Sequence, residues 1–215
     1  SGVSYDIAAW TTMPNGVADQ MTDNDSSVVR RKASLSGTYT IGGPTADYPA
    51  IIDAVNDLNT LGVCGPVVFN ITPGSYTEQV SIGTIAGASA INTITFQSAT
   101  RSSPDVRWDY ASSSSSSNYV LKIAGATWLT IRDLTMIAQG STYARVIDLA
   151  GSTNCTLDNL ILDGRTVTST STGRAVVYSA SNTIDNNFRM SNCTVNNGSY
   201  GLYIYGSSSN LEQGT

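Results

Sequence analysis

The apolar residues in the second half of the chain recur in a repeated order. The segment at 123–136 aligns with the segment at 149–162, and each apolar position of the first matches an apolar position of the second. A third copy follows after a polar insertion at 166–174. The matching positions form four columns, which are Leu129/Cys155/Phe188, Ile131/Leu157/Met190, Leu134/Leu160/Cys193 and Met136/Leu162/Val195. Internal repeats of this kind indicate a solenoid, because each repeat packs against the next.

Each repeat also begins with a second short strand pattern, at 119–123, 145–149, 175–178 and 202–205. A unit of this size with several short strands cannot bury its own apolar face, but stacked units can turn the four columns inward. We therefore predict an all-β fold, a right-handed parallel β-helix (solenoid) over 37–215. We expect it to continue beyond 215, because 206–215 has no obvious cap and an uncapped strand edge invites association.

One helical pattern interrupts the strand patterns. Asp47 is a suitable N-cap, Pro49 falls in the first turn and Gly62 ends the pattern. A single apolar face of this kind predicts an amphipathic helix at about 47–62 that caps the N-terminal end of the β-helix. The apolar residues at helical spacing are Ile51, Ile52, Ala54, Val55, Leu58 and Leu61.

Residues 1–32 have a different pattern. Residues 5–10 alternate as in a strand, Pro-Asn-Gly at 14–16 is a turn signal, and Asp-Asn-Asp at 23–25 precedes a short strand at 27–30. Two strands alone do not form a stable sheet. The Trp, the Pro-Asn-Gly turn and the Asn-Asp pair resemble the last hairpin of an immunoglobulin-like module from large multidomain surface proteins of the Bacteroidetes. The resemblance implies a remnant of such a β-domain at 1–32, a linker at 33–36 and the β-helix at 37–215.

Composition and charge limit the kinds of function that this chain can have. Charged residues make up 13% of the chain and hydrophobic residues 40%, and the abundance of short polar side chains is typical of β-rich extracellular proteins. The net charge of −5 gives no attractive field for phosphate, so we expect no nucleic-acid partner. No stretch approaches the roughly 20 apolar residues of a membrane helix. Because the chain opens with Ser1 and not with an initiator Met and a signal peptide, we expect it to be a processed or excised piece of an extracellular or cell-surface protein.

The chain has no histidine, which excludes Ser-His-Asp and Cys-His mechanisms and most zinc sites. Its three cysteines, Cys64, Cys155 and Cys193, lack metal-ligand spacing. Cys155 and Cys193 lie in apolar strand patterns, which favours core packing over the alternative of a disulfide. We expect no metal, no cofactor and no catalytic residue.

Asp133, Asn159 and Asn192 share one register between the inward-facing strands. Short Asx side chains at a coil corner bond to backbone groups and tolerate left-handed dihedrals. This pattern predicts a structural Asx ladder. A binding role is the alternative, and Asp133 is its best candidate because it is the one carboxylate of the three.

Tyrosines near the strand starts supply candidate binding residues. A row of aromatic faces on a long sheet suits recognition of sugars or proteins. If the chain acted on a glycan, the Asp148 carboxylate, with Arg145 close in sequence, could do acid and base work. The candidate ligand-binding residues are Tyr143, Tyr178, Tyr203 and Asp148. Packing of the tyrosines and solvation of the carboxylate are the alternatives.

Five short segments carry a family resemblance. They are Tyr-Thr-Ile-Gly at 39–42, Asp-Tyr-Pro-Ala-Ile at 47–51, Asp-Ala-Val at 53–55, Val-Val-Phe-Asn-Ile at 67–71 and Pro-Gly-Ser-Tyr-Thr-Glu-Gln-Val at 73–80. Together they resemble the pectin-lyase-like β-helix superfamily, and most closely the opening of pectin methylesterases. The resemblance implies a capping helix and a first coil, which is a statement about fold and not about activity.

The catalytic motifs of that superfamily are missing. Pectin methylesterases resemble one another in a paired-aspartate centre with an arginine and glutamines, but this sequence has no Gln-Ala, Asp-Phe-Ile-Phe-Gly or Gly-Arg-Pro-Trp stretch. The Gly-His-Gly of polygalacturonases cannot occur without histidine, and no acidic cluster of the pectate lyase kind is present. We therefore expect a noncatalytic structural or adhesive module of a large secreted or cell-surface protein.

Two other functions stay open, a truncated polysaccharide lyase, hydrolase or esterase and a carbohydrate-binding β-helix. The expected partners are other domains of the same long chain, further copies of it, or glycan and cell-surface ligands.

Overall fold

The chain forms two compact units, Ser1–Ser34 and Leu35–Thr215. The computed structural model describes residues 4–11, 13, 16–17, 26–168 and 170–206. The second unit holds the repeated segments and the helical pattern, and it is therefore the unit that positions the candidate site.

The first unit is an antiparallel hairpin of β1 (Ser4–Trp10) and β2 (Ser26–Lys32). All residues of both strands are exposed, and Arg30 donates to the Asp6 carboxylate at 2.8 and 3.0 Å. Of the predicted turn at 14–16 only Gly16 is described, and the Asp-Asn-Asp motif at 23–25 lies outside the described residues. The hairpin buries none of its strand residues, so the immunoglobulin-like assignment stays a prediction.

The second unit is built from three parallel sheets. Sheet I has the order β3 (Leu35–Ile41), β4 (Val63–Ile71), β7 (Ile94–Ser98), β10 (Leu129–Arg132), β13 (Thr156–Asp158) and β16 (Arg189–Ser191). Sheet II has the order β5 (Gly74–Thr77), β8 (Val106–Tyr110), β11 (Thr135–Ala138), β14 (Ile161–Asp163) and β17 (Thr194–Asn196). Sheet III has the order β6 (Val80–Ile82), β9 (Leu121–Ile123), β12 (Ile147–Leu149), β15 (Val177–Ser179) and β18 (Leu202–Ile204). Successive coils add one strand to each sheet, which confirms the predicted all-β parallel solenoid.

The inward columns of sheets I and II lie in the predicted register. Ile131 pairs with Leu157, which in turn pairs with Met190. The corresponding set in sheet II is Met136, Leu162 and Val195. Leu157 is fully buried, and neighbouring strands lie about 4.8 Å apart. Each apolar side chain therefore packs on its counterparts in the coils before and after it.

Cys155 and Cys193 do not form a disulfide. Cys155 is fully buried, Cys193 packs half-buried against the core, and both thiols are free. Burial raises the pKa of the Cys155 thiol to about 11, so the sulfur stays protonated and packs as a small apolar group. This agrees with the prediction of core packing and not with the disulfide alternative.

The helix α1 (Ile51–Leu61) follows the predicted apolar periodicity but starts later than predicted. Its N-cap is Ala50, so the predicted start near 47 with Asp47 as the cap is wrong. The Asp47 carboxylate is engaged elsewhere, because it accepts hydrogen bonds from N and Oγ1 of Thr40 at 2.8 and 2.9 Å. The first two helical amides donate instead to the Glu78 carboxylate, at 3.2 and 2.7 Å. The fully buried side chains of the helix are those of Ile51, Ala54, Val55 and Leu58.

Candidate functional site

The corner between sheets I and II is turned by one left-handed residue in each of three coils. Asp133, Asn159 and Asn192 have φ values of 58°, 51° and 54°. Aspartate and asparagine adopt this conformation more readily than other residues with a Cβ atom, because their short side chains bond locally. The three residues that the sequence pattern grouped therefore occupy equivalent places in successive coils.

The side chains at this corner are bonded to one another. Asn159 Nδ2 donates to Asp133 Oδ1 at 2.8 Å, and Arg132 Nε donates to Asp133 Oδ2 at 3.1 Å. Arg101 Nη1 lies 3.6 Å from the same oxygen. The Asp133 side chain is only 3% exposed. Both of its carboxylate oxygens thus face donors of the protein, which leaves Asp133 poorly placed to act as a base.

Asn192 has a different partner from the one that a continuous ladder requires. Its Nδ2 donates to Asp158 Oδ1 at 2.9 Å, and Ser191 Oγ donates to the same oxygen at 2.9 Å. These hydrogen bonds lower the pKa of Asp158, with a further contribution from Arg132. The corner therefore contains two separate carboxylate-amide pairs, because Asp158 precedes Asn159 and offers Asn192 a charged acceptor.

Three of the four candidate ligand-binding residues lie in one outward column of sheet III. Lys122, Asp148, Tyr178 and Tyr203 pair in register along β9, β12, β15 and β18. Tyr143 is elsewhere, in the loop between β11 and β12, where it lines a separate depression with Ser112 and Gln139. Sheet III thus brings Asp148 and two tyrosines together and leaves Tyr143 out.

The tyrosines of this column form a stack with a guanidinium group. Arg145 Cζ lies 3.3 Å from the ring centroid of Tyr178. The Tyr203 ring stacks on Tyr178 at 5.7 Å with an interplanar angle of 9°. Arg145 belongs to the coil before Tyr178 and Tyr203 to the coil after it, so the two groups cover opposite faces of the Tyr178 ring. Tyr178 therefore has no free face on which a sugar could stack.

The carboxylate of the column is also engaged. Arg145 Nη1 donates to Asp148 Oδ2 at 2.8 Å, and the Asp148 side chain is 13% exposed. Burial raises the pKa of Asp148, while Arg145 and Lys122 act in the opposite direction. Arg145 is itself held by the carbonyl of Thr172, which accepts from Nε at 3.0 Å.

Two carboxylates, one as acid and one as base or nucleophile, are what glycoside hydrolysis needs. The in-register neighbours of Asp148 are Lys122 and Tyr178. Sheet III therefore presents one carboxylate in this column.

Sequence reasoning missed a buried carboxylate. Asp185 is 1% exposed, and its Oδ1 accepts hydrogen bonds from N and Oγ of Ser152, both at 2.7 Å. Its Oδ2 accepts from Ser179 Oγ at 2.6 Å. These bonds join two coils across the insertion at 166–174. The repeat could have revealed the contact, because Ser152 and Asp185 lie 33 residues apart, as do Cys155 and Phe188.

No group of three or more His, Cys, Asp or Glu side chains within the described ranges could hold a metal ion. In the same ranges no helix has the length and apolar character that a membrane span requires.

The coil geometry is similar to that of known pectin methylesterases. One is a pectin methylesterase variant in complex with a hexasaccharide, at a TM-score of 0.53 and 14% identity over 74% of this chain and 49% of that chain. The chain thus spans about half the length of that protein. A pectin methylesterase from Aspergillus niger in deglycosylated form has 14% identity over 76% of this chain and 69% of that chain, with a TM-score of 0.36.

No known protein-family profile matches the sequence, and no curated protein matches it either. A structural likeness at 14% identity shows the fold alone. The chain has the right-handed parallel β-helix fold of the pectin-lyase-like type, as the segments between 39 and 80 predicted.

Proposed function

We propose that this chain is a noncatalytic structural segment of a longer extracellular protein, in which polar side chains bond each coil to the next and stiffen the rod. The observation that carries the proposal is that carboxylate and amide side chains link successive coils. Five pairs of polar side chains form hydrogen bonds from one coil to the next. The bridging pairs are Asp133–Asn159, Asp158–Asn192, Asp163–Asn197, Asp185–Ser152 and Asn154–Asn187.

The low charge, the abundance of short polar residues and the absence of histidine support an extracellular setting without nucleophile-histidine chemistry. Helix α1 packs its apolar face on β3, β4 and β6, which suits a cap on the first coil. In this proposal the rod presents surfaces to other domains of the same chain or to ligands outside the cell.

An esterase or hydrolase segment is the competing function, and the likeness in fold to pectin methylesterases is compatible with it. The polar column of sheet III argues against it. Asp148 is paired with Arg145 at 2.8 Å, and its register neighbours Lys122 and Tyr178 supply no second carboxylate.

A turnover assay tests the proposal. The full chain is incubated with methyl-esterified polygalacturonate and with its de-esterified form, while methanol release and polymer length are measured beside an active pectin methylesterase. We expect neither substrate to change beyond the buffer control. Methanol release or chain shortening that is lost in Asp148→Asn would overturn the proposal.

A further inference from the structure

Trp128 occupies a backbone position that suits asparagine. It lies immediately before β10 with φ 57°, and the equivalent residues of the next two coils are Asn154 and Asn187, with φ 55° and 51°. The amide of Trp128 donates to the carbonyl of Thr153 in the next coil at 3.2 Å, as the amide of Asn154 does to that of Asn186 at 2.9 Å, so the same corner backbone recurs in successive coils. A bulky side chain with positive φ is an outlier that the surrounding structure must hold in place. The indole is therefore kept at this corner in spite of the backbone preference.

The indole lines a groove on the outward face of sheet I. The groove has a volume of about 280 Å³. Trp128 is half-buried there, and among the aromatic contacts of the described residues none involves its ring. This distinguishes Trp128 from Tyr178, whose two faces are covered. The other groove residues that matter here are Thr130, Asn154, Thr156, Asn187 and Arg189.

The polar groups of the groove have unused hydrogen-bonding capacity. Asn187 Nδ2 donates to Asn154 Oδ1 at 3.0 Å. Within the described part of the chain, no other side-chain bond engages Asn154 Nδ2 or Asn187 Oδ1, so one donor and one acceptor remain. Thr130 and Thr156 stand in register on adjacent strands and add two hydroxyl groups to the same wall.

Arg189 supplies a positive charge at the groove. Its side chain is exposed, and no carboxylate of the described residues lies within ion-pair distance of it. The arginines at the sheet I–II corner differ, because Arg101 and Arg132 both approach Asp133. The Asp158 carboxylate is close enough for the Arg189 charge to help lower its pKa, but no ion pair holds the guanidinium, which can bind an anionic group in the planar, two-point manner of arginine.

We propose that this groove binds a saccharide that carries an anionic substituent. The apolar face of a pyranose ring packs on the indole, the ring hydroxyls bond to the amide and threonine groups, and the guanidinium binds the carboxylate or sulfate. The site lies on sheet I, and it is separate from the Asp148 column on sheet III. It needs no turnover, so its test is independent of the assay described above.

Three polymers with one backbone separate the contributions to binding. Dextran, carboxymethyl-dextran and dextran sulfate are titrated against the full chain by calorimetry, so that only the substituent changes. Binding of one or both anionic forms, with dextran at least about tenfold weaker, is expected from the guanidinium contact. The carboxymethyl and sulfate arms identify which anion the site prefers. Equal binding of all three polymers, or binding of none, overturns the proposal.

Two substitutions place the binding at the groove. Trp128→Asn and Arg189→Gln are each expected to weaken binding of the preferred polymer about tenfold. The control Arg165→Gln removes another exposed arginine, which lies outside the groove, and is expected to leave binding within about twofold. If Arg165→Gln weakens binding as much as Arg189→Gln, the interaction is general charge attraction and the proposal is wrong.

The thermal midpoint of Trp128→Asn separates recognition from packing. Asparagine suits the left-handed backbone, as in the next two coils, so the midpoint is expected to equal or exceed that of the parent chain while binding is lost. A lower midpoint with unchanged binding would show that Trp128 is a packing residue, and the proposal would fail.

Discussion

The surroundings of each aspartate decide what its carboxylate can do. Asp133 and Asp185 are buried and fully supplied with donors. Asp148 is held by one arginine in a poorly solvated column, and Asp158 lies at an open corner with amide and hydroxyl donors. The pKa is therefore raised at Asp148 and lowered at Asp158, although both residues carry the same side chain.

Asp158 and Asp148 should give opposite pH dependences of stability. The pKa of Asp158 is lowered in the folded state, so its contribution is complete above the ordinary aspartate pKa of about 3.9 and is lost as the pH falls through the lower folded value. The pKa of Asp148 is raised, so its ionisation weakens the fold as the pH rises from the ordinary value through the folded one.

Urea unfolding of Asp158→Asn and Asp148→Asn at several pH values from 2.5 to 7 checks these signs. At pH 7 we expect Asp158→Asn to be less stable than the parent chain by about 1 kcal/mol. This difference should shrink toward acid pH. For Asp148→Asn, the parent chain should instead lose stability relative to the variant as the pH rises. Two differences that change in the same direction would contradict the assignment.

The left-handed corner can be tested at Asn159 by comparing Asn159→Ala with Asn159→Gly. Both substitutions remove the bond to Asp133, but only alanine meets the steric penalty of φ 51°. We therefore expect the alanine variant to be less stable than the glycine variant by about 1 kcal/mol. At Thr156, in a strand, the order should reverse, because glycine weakens a strand relative to alanine. Equal stabilities of the two Asn159 variants in thermal unfolding would contradict the prediction.

At the scale of elements, the repeat pattern predicted strands in all three sheets, whereas the capping signals misplaced the helix start. Apolar columns report burial directly, so Ile131, Leu157 and Met190 could be aligned from the sequence alone. A helix end depends on which group takes up its free amides. Asp47 looked suitable by sequence spacing, whereas Glu78, from the turn between β5 and β6, holds them in the structure.

The Glu78 contact should contribute measurably to stability. Glu78→Ala removes the acceptor of two helical amides and a negative charge at the positive end of α1, which we expect to lower the free energy of unfolding by about 1–2 kcal/mol. Glu78→Gln keeps an acceptor oxygen and should lose less. Asp53→Asn is the matched control, because Asp53 lies in the first turn but is not the acceptor of those amides. Chemical denaturation followed by circular dichroism measures all three, and equal losses for Glu78→Ala and Asp53→Asn would exclude the proposed role.

The same reasoning explains why the candidate site was only partly predictable. The register of Asp148, Tyr178 and Tyr203 follows from the repeat, so their common column could be anticipated. The contact that covers the Tyr178 ring could not be anticipated, because Arg145 reaches the ring from a loop of the preceding coil. The left-handed row of Trp128, Asn154 and Asn187 had a visible signal in the two asparagines, but the tryptophan in the first coil concealed it.

For the whole molecule, stability should be a sum of coils and of the contacts between adjacent coils. A solenoid repeat touches only its neighbours, so coupling should fall off within one coil. Ile131 and Leu157 are in-register neighbours on β10 and β13. Phe69 lies on β4, which is separated from β13 by β7 and β10, a distance of about 14 Å at the usual strand spacing.

Double-mutant cycles measure this decay directly. Leu157→Ala alone should lower the free energy of unfolding by about 2–5 kcal/mol, because its side chain is fully buried. When Leu157→Ala is combined with Ile131→Val, the loss in the double variant should differ from the sum of the two single losses by about 0.5–3 kcal/mol, since both substitutions open the same part of the core. When Leu157→Ala is combined with Phe69→Leu, the two single losses should add to within about 0.5 kcal/mol. Strong coupling between Leu157 and Phe69 would mean that the core responds as one body, and local stacking would then not account for the stability of the rod.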